Sequence, residues 1–227
     1  MRLQDETRWV ADIGMMALDR PRFGARSTCQ EHATDFCKQS CYNVKLERLY
    51  PKMLEKDERN EDFWEQLDGT KLGQILARKK KPTDRFRACT RGEPFASYAD
   101  ILKWKEICET NPTVQFWMPT HSWFSPTFGK LNLFYVTHLE KILMPIPNAH
   151  VLASVDPSNR SHWAEIESRG WSTMFFGDDT ASVSDAGSRL FKCPKTFKSL
   201  KGHCGVCKAG CFAKSIGRQV HVHLESH

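Results

Sequence analysis

The sequence predicts an α/β protein with a parallel sheet, ending in a cysteine-rich, metal-binding segment. Three observations predict it. Between residues 85 and 178, short β-like stretches alternate with helix-like ones, the rhythm of βαβ units in a parallel sheet. The 227 residues are 40% hydrophobic and 26% charged, ordinary for a globular chain and sufficient for a sizeable core. After residue 185 the apolar periodicity fades and Gly, Lys and Cys take over, so metal is expected to hold this stretch. The boundaries are therefore 1–185 for the α/β core and 186–227 for the cysteine-rich segment, with an auxiliary metal site and a returning strand.

The elements follow in order. VKLERLYPKMLEKDE and NEDFWEQLDGTKLGQILARKKK read as helices, the first broken at Pro51, with Phe63, Leu67 and Leu72 on a buried stripe. The charge run ARKKKPTD closes this region. RFRACTRG is a short strand. SYADILKWKEICETNP is a helix in which Ser97 is the N-cap, Asp100 stands three residues on, and Ile101, Trp104 and Cys108 share a face. VQFWMP is a strand, NLFYVTHLEKILMP a helix and HVLASVDP a strand. SNRSHWAEIESRG is a helix with a Ser or Asn cap and a terminal Gly170, and WSTMFFGDD is a strand. RQVHVHLE is a last strand able to return to the sheet. Parallel sheets place ligands at the C-terminal ends of their strands. Here those ends are TRGE, MPTHS, SVDPS and GDDT.

Composition narrows the function classes. The most apolar stretches, WVADIGMMAL and ILMPIPNAHVLASV, are too short or carry Pro, Asn and His, so no membrane span is expected. The N-terminus lacks a basic head followed by an apolar core, so no secretory signal is expected and the reading is cytosolic. In that compartment nine cysteines point to metal or redox chemistry before disulfides. The formal charge of +6 hints at an anionic partner, though metal-bound thiolates would change it.

Two cysteine groups stand out. Cys29, Cys37 and Cys41 are separated by seven and three residues. Soft thiolates select zinc, copper or iron–sulfur, and three of them suit a cubane whose fourth iron stays open to a ligand. A zinc site completed by His32, or simple burial, are the other readings. Cys193, Cys204, Cys207 and Cys211 form C-x10-C-x2-C-x3-C, which can close a site around zinc or a fully ligated cluster. His203, His221 and His223 are substitutes for a cysteine there, with HVH otherwise read as the exposed face of the last strand. Gly92 allows a ligand close to the backbone, and Glu93 can accept hydrogen bonds from an ammonium group; a plain turn is the alternative. Ser154 and Asp156 can bind hydroxyls or a ribose, or Asp156 starts a turn and Ser158 caps the next helix. Asp178 and Asp179 point opposite ways on an extended chain. Cys108 and Cys89 read as core, the ARKKKPTDRFR run as a solvated loop or phosphate grip, and most of the seven Trp and fourteen Phe as core.

The set TCQEHATDFCKQSCYN, RGEPFASYADILKWKEI and CPKTFKSLKGHCGVCKAGCF, ending in VHVHLESH, resembles a phage gene-product family related to radical S-adenosylmethionine (SAM) enzymes. The resemblance implies a partial (β/α)6 barrel of radical SAM type. It implies a 4Fe–4S cluster on Cys29, Cys37 and Cys41, with Tyr42 at the aromatic position that follows the last ligand. SAM would lie on the open iron, its amino group at Gly92 and Glu93 and its ribose at Ser154 and Asp156. The four C-terminal cysteines would hold a second iron–sulfur cluster or zinc. The triad departs from the superfamily's usual spacing of three and two residues. The implied activity is reductive cleavage of SAM and hydrogen abstraction from a substrate, with nucleic acid or nucleotide modification as one target class. A reductant protein such as a flavodoxin or ferredoxin is the implied partner, and the host cytoplasm the setting. The contrasting reading is a non-enzymatic zinc protein that binds nucleic acid. It predicts zinc without colour and salt-sensitive binding.

Overall fold

The structure, a computed structural model, describes residues 7–10, 15–78, 84–178, 180–197, 200, 202, 204, 207, 209–212 and 219–225. The elements run β1 (Arg8–Val10), β2 (Met15–Ala17), α1 (Asp35–Gln39), α2 (Tyr42–Leu49), α3 (Lys52–Gln66), α4 (Gly69–Ala77), β3 (Arg85–Arg87), α5 (Tyr98–Thr110) and β4 (Gln115–Thr120). They continue with β5 (Phe124–Ser125), β6 (Lys130–Leu131), α6 (Leu133–Ile142), β7 (Ala149–Val155), a 3-10 turn (Arg160–His162), α7 (Trp163–Ser168), β8 (Ser172–Phe176), β9 (Phe191–Lys192) and β10 (His221–Leu224).

The main sheet has the order β1-β2-β3-β4-β7-β8-β10-β9. Only β1 is antiparallel to its neighbour; the other seven strands are parallel and curl into a half-barrel. Six of them, β2, β3, β4, β7, β8 and β10, lie side by side in chain order, so each crossover advances one place along the sheet. RQVHVHLE does return to the sheet, with His221 opposite Thr173 and Leu224 opposite Phe176.

Alternation along the strands sorts two cores. Met16, Phe86, Phe116, Met118, Val151, Ala153 and Phe175 pack outward against the helices, where Leu72, Ile101, Trp104, Cys108, Leu139, Trp163 and Ile166 meet them. Met15, Trp117, Leu152 and Met174 face into the curl, where Phe212 of the C-terminal segment packs on them. A fully buried side chain of this kind contributes about 1.5–3 kcal/mol, and Phe86, Trp104, Phe116 and Trp163 are all fully enclosed. Phe63, Leu67 and Leu72 are buried as the periodicity requires.

Local rules explain most boundaries. Ser97 and Asp100 form a reciprocal capping box on α5. Asn148 then ties the end of α5 to the start of β4 by donating to the carbonyls of Cys108, Asn111 and Val114. Gly170 ends α7 at φ +89°. Several expectations are corrected. The helix expected over SNRSHWAEIESRG begins as a 3-10 turn without a side-chain cap, because the Asn159 side chain is spent on Asp156 N–H and the Ser154 carbonyl. The second helical stretch divides at Leu67, and Asp68 caps a new helix through Lys71 N–H. The strands β1, β2, β5, β6 and β9 went unread. Each has two or three residues, too few for a period to show.

Candidate functional site

The C-terminal ends of β3, β4, β7, β8 and β10 open onto one cavity of about 190 Å³. Cys29, Cys37, Cys41, Gly92, Glu93, Ser154 and Asp156 all line it. Residues 127 positions apart in the chain therefore share one wall, because consecutive parallel strands end on the same side of the sheet.

The cysteine segment follows β2 and is pinned at two threonines. Thr28 donates to the Pro21 carbonyl and accepts from Glu93 N–H. Thr34 caps α1 by accepting from Cys37 N–H and donates to Asp156 at 2.5 Å. Phe36 N–H donates to Ser158 Oγ at 3.0 Å, so Ser158 serves the cysteine segment and not its own helix. Cys29 sits in a turn, Cys37 on α1 and Cys41 at the N-cap of α2. Burial, then Glu93, Cys37 and Cys41, push the Cys29 thiol up. Burial, then Cys41 and Asp156, push Cys37 up to about 12. Thiols in this setting stay protonated until a cation joins them, and coordination to a metal reverses the order. Among the described residues no three Cys, His, Asp or Glu side chains stand together as a single-ion site.

Gly92 has φ +83°, and a Cβ there would lie 2.6 Å from the Arg20 carbonyl and 2.8 Å from Thr28 Oγ1. The glycine is therefore required by the chain's own close approach, not by a ligand's. Glu93 is buried and already accepts from Thr120 Oγ1, His121 N–H at 2.9 Å and Phe95 N–H at 3.3 Å. A carboxylate offers about four acceptor positions, so roughly one remains for a ligand. Beneath this turn Asp19 accepts from Thr90 and Arg91 N–H, and Arg91 pairs with Asp57.

Ser154 turns its side chain to the cavity, while its carbonyl accepts from Trp123 and Asn159. Asp156 accepts from Ser158 N–H at 2.8 Å and faces His121 Nε2 at 3.5 Å. Burial pushes its carboxyl up, but the hydrogen bonds from His121, Thr34 and Ser158 outweigh that and hold it below the usual range. Asp156 is thus both turn starter and tether. The cavity also carries His121, Asn43 and Arg87, which sequence reasoning missed. Asn43 Oδ1, Arg87 Nε and both ring nitrogens of His32 are buried without a hydrogen-bond partner among the described residues. Buried polar atoms are almost always paired, so these four are open to water or a ligand entering the cavity.

Cys193, Cys204, Cys207 and Cys211 line a second cavity, of about 570 Å³, near the opposite strand ends, with Asp84, Arg85, Gln115 and Trp117. Burial and Cys193 push Cys204 up to about 11, opposed by Arg87 and Arg85. Burial likewise pushes Cys211 up. His221 and His223 correct the expectation of an exposed HVH face. Both are buried, because their shared face packs on Thr173 and Glu167 at His221 and on Phe175 and Phe197 at His223. His221 bonds Thr173 Oγ1 at 2.9 Å, and His223 bonds the Ala181 carbonyl at 3.0 Å. Cys89 and Cys108 are core as expected. Asp178 is tied to Thr180; Asp179, His203 and the 79–83 charge run lie outside the described residues.

The "Gene 88 protein" of Mycobacterium phage L5 is 24% identical over 197 residues, covering 78% of this chain and 77% of that protein. No solved structure matches the chain. Residues 12–211 match the family described as gene product 88, a span that takes in both cysteine groups and Gly92, Glu93, Ser154 and Asp156, and the chain belongs to that phage gene-product family.

Proposed function

We propose that this protein is a radical SAM-like iron–sulfur enzyme acting in the cavity at the C-terminal strand ends. One observation carries the reading: Cys29, Cys37 and Cys41 share a single cavity with Gly92, Glu93, Ser154 and Asp156. A soft three-thiolate set beside a carboxylate and hydroxyl-binding groups is the chemistry that holding a cluster and SAM together calls for.

In this reading Cys29, Cys37 and Cys41 hold a 4Fe–4S cluster and leave it one open position. The cluster and SAM, when bound, supply a reductively generated carbon radical able to abstract hydrogen from an unreactive C–H bond. The chain's residues do the rest. The remaining lone pair of Glu93 accepts from the SAM ammonium group. Ser154 offers its hydroxyl to the ribose, while the Asp156–Thr34 bond fixes the cysteine segment against that strand end. The inward wall of Leu152 and Met174 beneath excludes water. The C-terminal cysteines hold a second cluster or zinc, and a flavodoxin- or ferredoxin-type protein supplies the electron. The substrate class proposed is nucleic acid or a nucleotide.

Metal and sulfide content after anaerobic purification, with EPR spectra, tests this on wild type and on the Cys29/Cys37/Cys41→Ala variant. Iron and sulfide that drop in the variant, with an EPR signal perturbed by SAM, are expected. Zinc without iron after anaerobic reconstitution would overturn the reading in favour of a zinc protein that binds nucleic acid.

A further inference from the structure

Three arginines line the upper cavity, Arg22, Arg87 and Arg91. Two are neutralised inside the protein. Arg22 makes a bidentate pair with Glu47, at 2.7 and 2.6 Å. Arg91 is held by Asp57 and Asp19. Arg87 has no carboxylate partner among the described residues, and its Nε is buried without a hydrogen bond. It is the last residue of β3 and faces Trp117 directly across the sheet, with its guanidinium carbon 4.6 Å from the ring centroid. Contact through the guanidinium face leaves the N–H edge free, and that edge matches a planar or tetrahedral oxyanion. The acids of the same cavity, Glu93 and Asp156, pair with the donors named above and form no ion pair with Arg87. Arg87 is only half-buried, with its Nε enclosed, so it is a partly desolvated cation that an anionic ligand would complete.

We infer that Arg87 is the anion-binding residue of the upper cavity and that the substrate carries a phosphate or carboxylate group seated against it. Asn43 Oδ1, also buried and unpartnered, then accepts from a donor on the same molecule. The inference needs the cavity to be a ligand site, but it does not depend on which metal the three cysteines hold.

The test titrates inorganic phosphate, and separately acetate, calorimetrically into the full-length protein purified anaerobically, and into R87Q and R87K. Saturable binding of either anion is expected, weakened about tenfold or more in R87Q and largely kept in R87K, since a charged hydrogen bond is lost in one and retained in the other. The thermal midpoint of R87Q should hold or rise, because a partly desolvated charge without a carboxylate partner among the described residues has been removed. Absence of anion binding, or equal binding in R87Q, overturns the inference. So does a clear fall in the R87Q midpoint, which marks a structural arginine. Loss of metal from R87Q would assign Arg87 to the cysteine site beneath it, whose Cys204 feels its charge. A parallel loss of SAM affinity, with phosphate competing against SAM, would assign it to the cofactor's carboxylate. Metal analysis that removed iron from the molecule would leave the phosphate result standing, so the two readings fail separately.

Discussion

At the scale of single residues, backbone geometry and burial decide more than residue type. Gly92→Ala forces φ +83° on a residue with a Cβ and sets that Cβ 2.6 Å from the Arg20 carbonyl. We expect a loss of about 1–3 kcal/mol in urea unfolding, together with a displaced Glu93; an unchanged midpoint would show that the turn relaxes freely. His221 supplies a pH dependence. Burial lowers its pKa below the ordinary 6.5, against the opposing pull of Glu167. The unfolded chain therefore takes up a proton near pH 6.5 that the folded chain takes up only at lower pH. Stability from this group is present above about pH 6.5 and lost as pH falls towards the lowered value. The urea midpoint should drop between pH 7.5 and 5.5, and H221Q should flatten that slope. Cys29, Cys37 and Cys41, and the strand-end pairs Gly92–Glu93 and Ser154–Asp156, were legible because spacing and position in a βα rhythm mark them. Arg87 was not, since its distinction from Arg22 and Arg91 lies wholly in which arginines find a carboxylate.

At the scale of elements, sequence signals served best where a helix carries its own punctuation. The Ser97–Asp100 capping box was readable as letters, and α5 begins where it says. Asp100 also accepts from Trp64 Nε1 at 2.7 Å and pairs with Arg20 at 3.2 Å, contacts no local pattern discloses. Ser97→Ala should therefore cost about 1 kcal/mol, a lost cap. Asp100→Ala should cost more, about 2–3 kcal/mol, since it also leaves Trp64 Nε1 without its acceptor and takes one of two carboxylates from Arg20, which keeps Glu61. Equal losses in chemical denaturation would mean the Arg20 and Trp64 contacts add nothing. β10 was recognised as a strand but its faces were assigned wrongly, because Glu167, Phe175 and Phe197, distant in sequence or on the neighbouring strand, pack over the histidine face.

At the scale of the whole molecule, the half-barrel sets the two cysteine groups at opposite ends of one curl, divided by Trp117, Leu152 and Met174. The C-terminal segment is part of that architecture: β10 covers the edge of β8, and Phe212 packs on Trp117 at 5.5 Å between ring centroids. A chain ending at residue 185 should expose a parallel edge and the inner apolar wall, and so aggregate or bind a hydrophobic dye; a monomeric, cooperatively unfolding fragment would refute this.

By itself the sequence determined the α/β class, the order of the main strands and helices, and the two sets of thiols, because periodicity, caps and spacing are local properties of the chain. Only the tertiary structure decided that Cys29 and Asp156 share a wall, that Gly92 answers to the Arg20 carbonyl, and that Arg87 has no carboxylate partner among the described residues. Those facts depend on which distant groups the curl of the sheet brings within hydrogen-bond reach, and no local pattern carries that information.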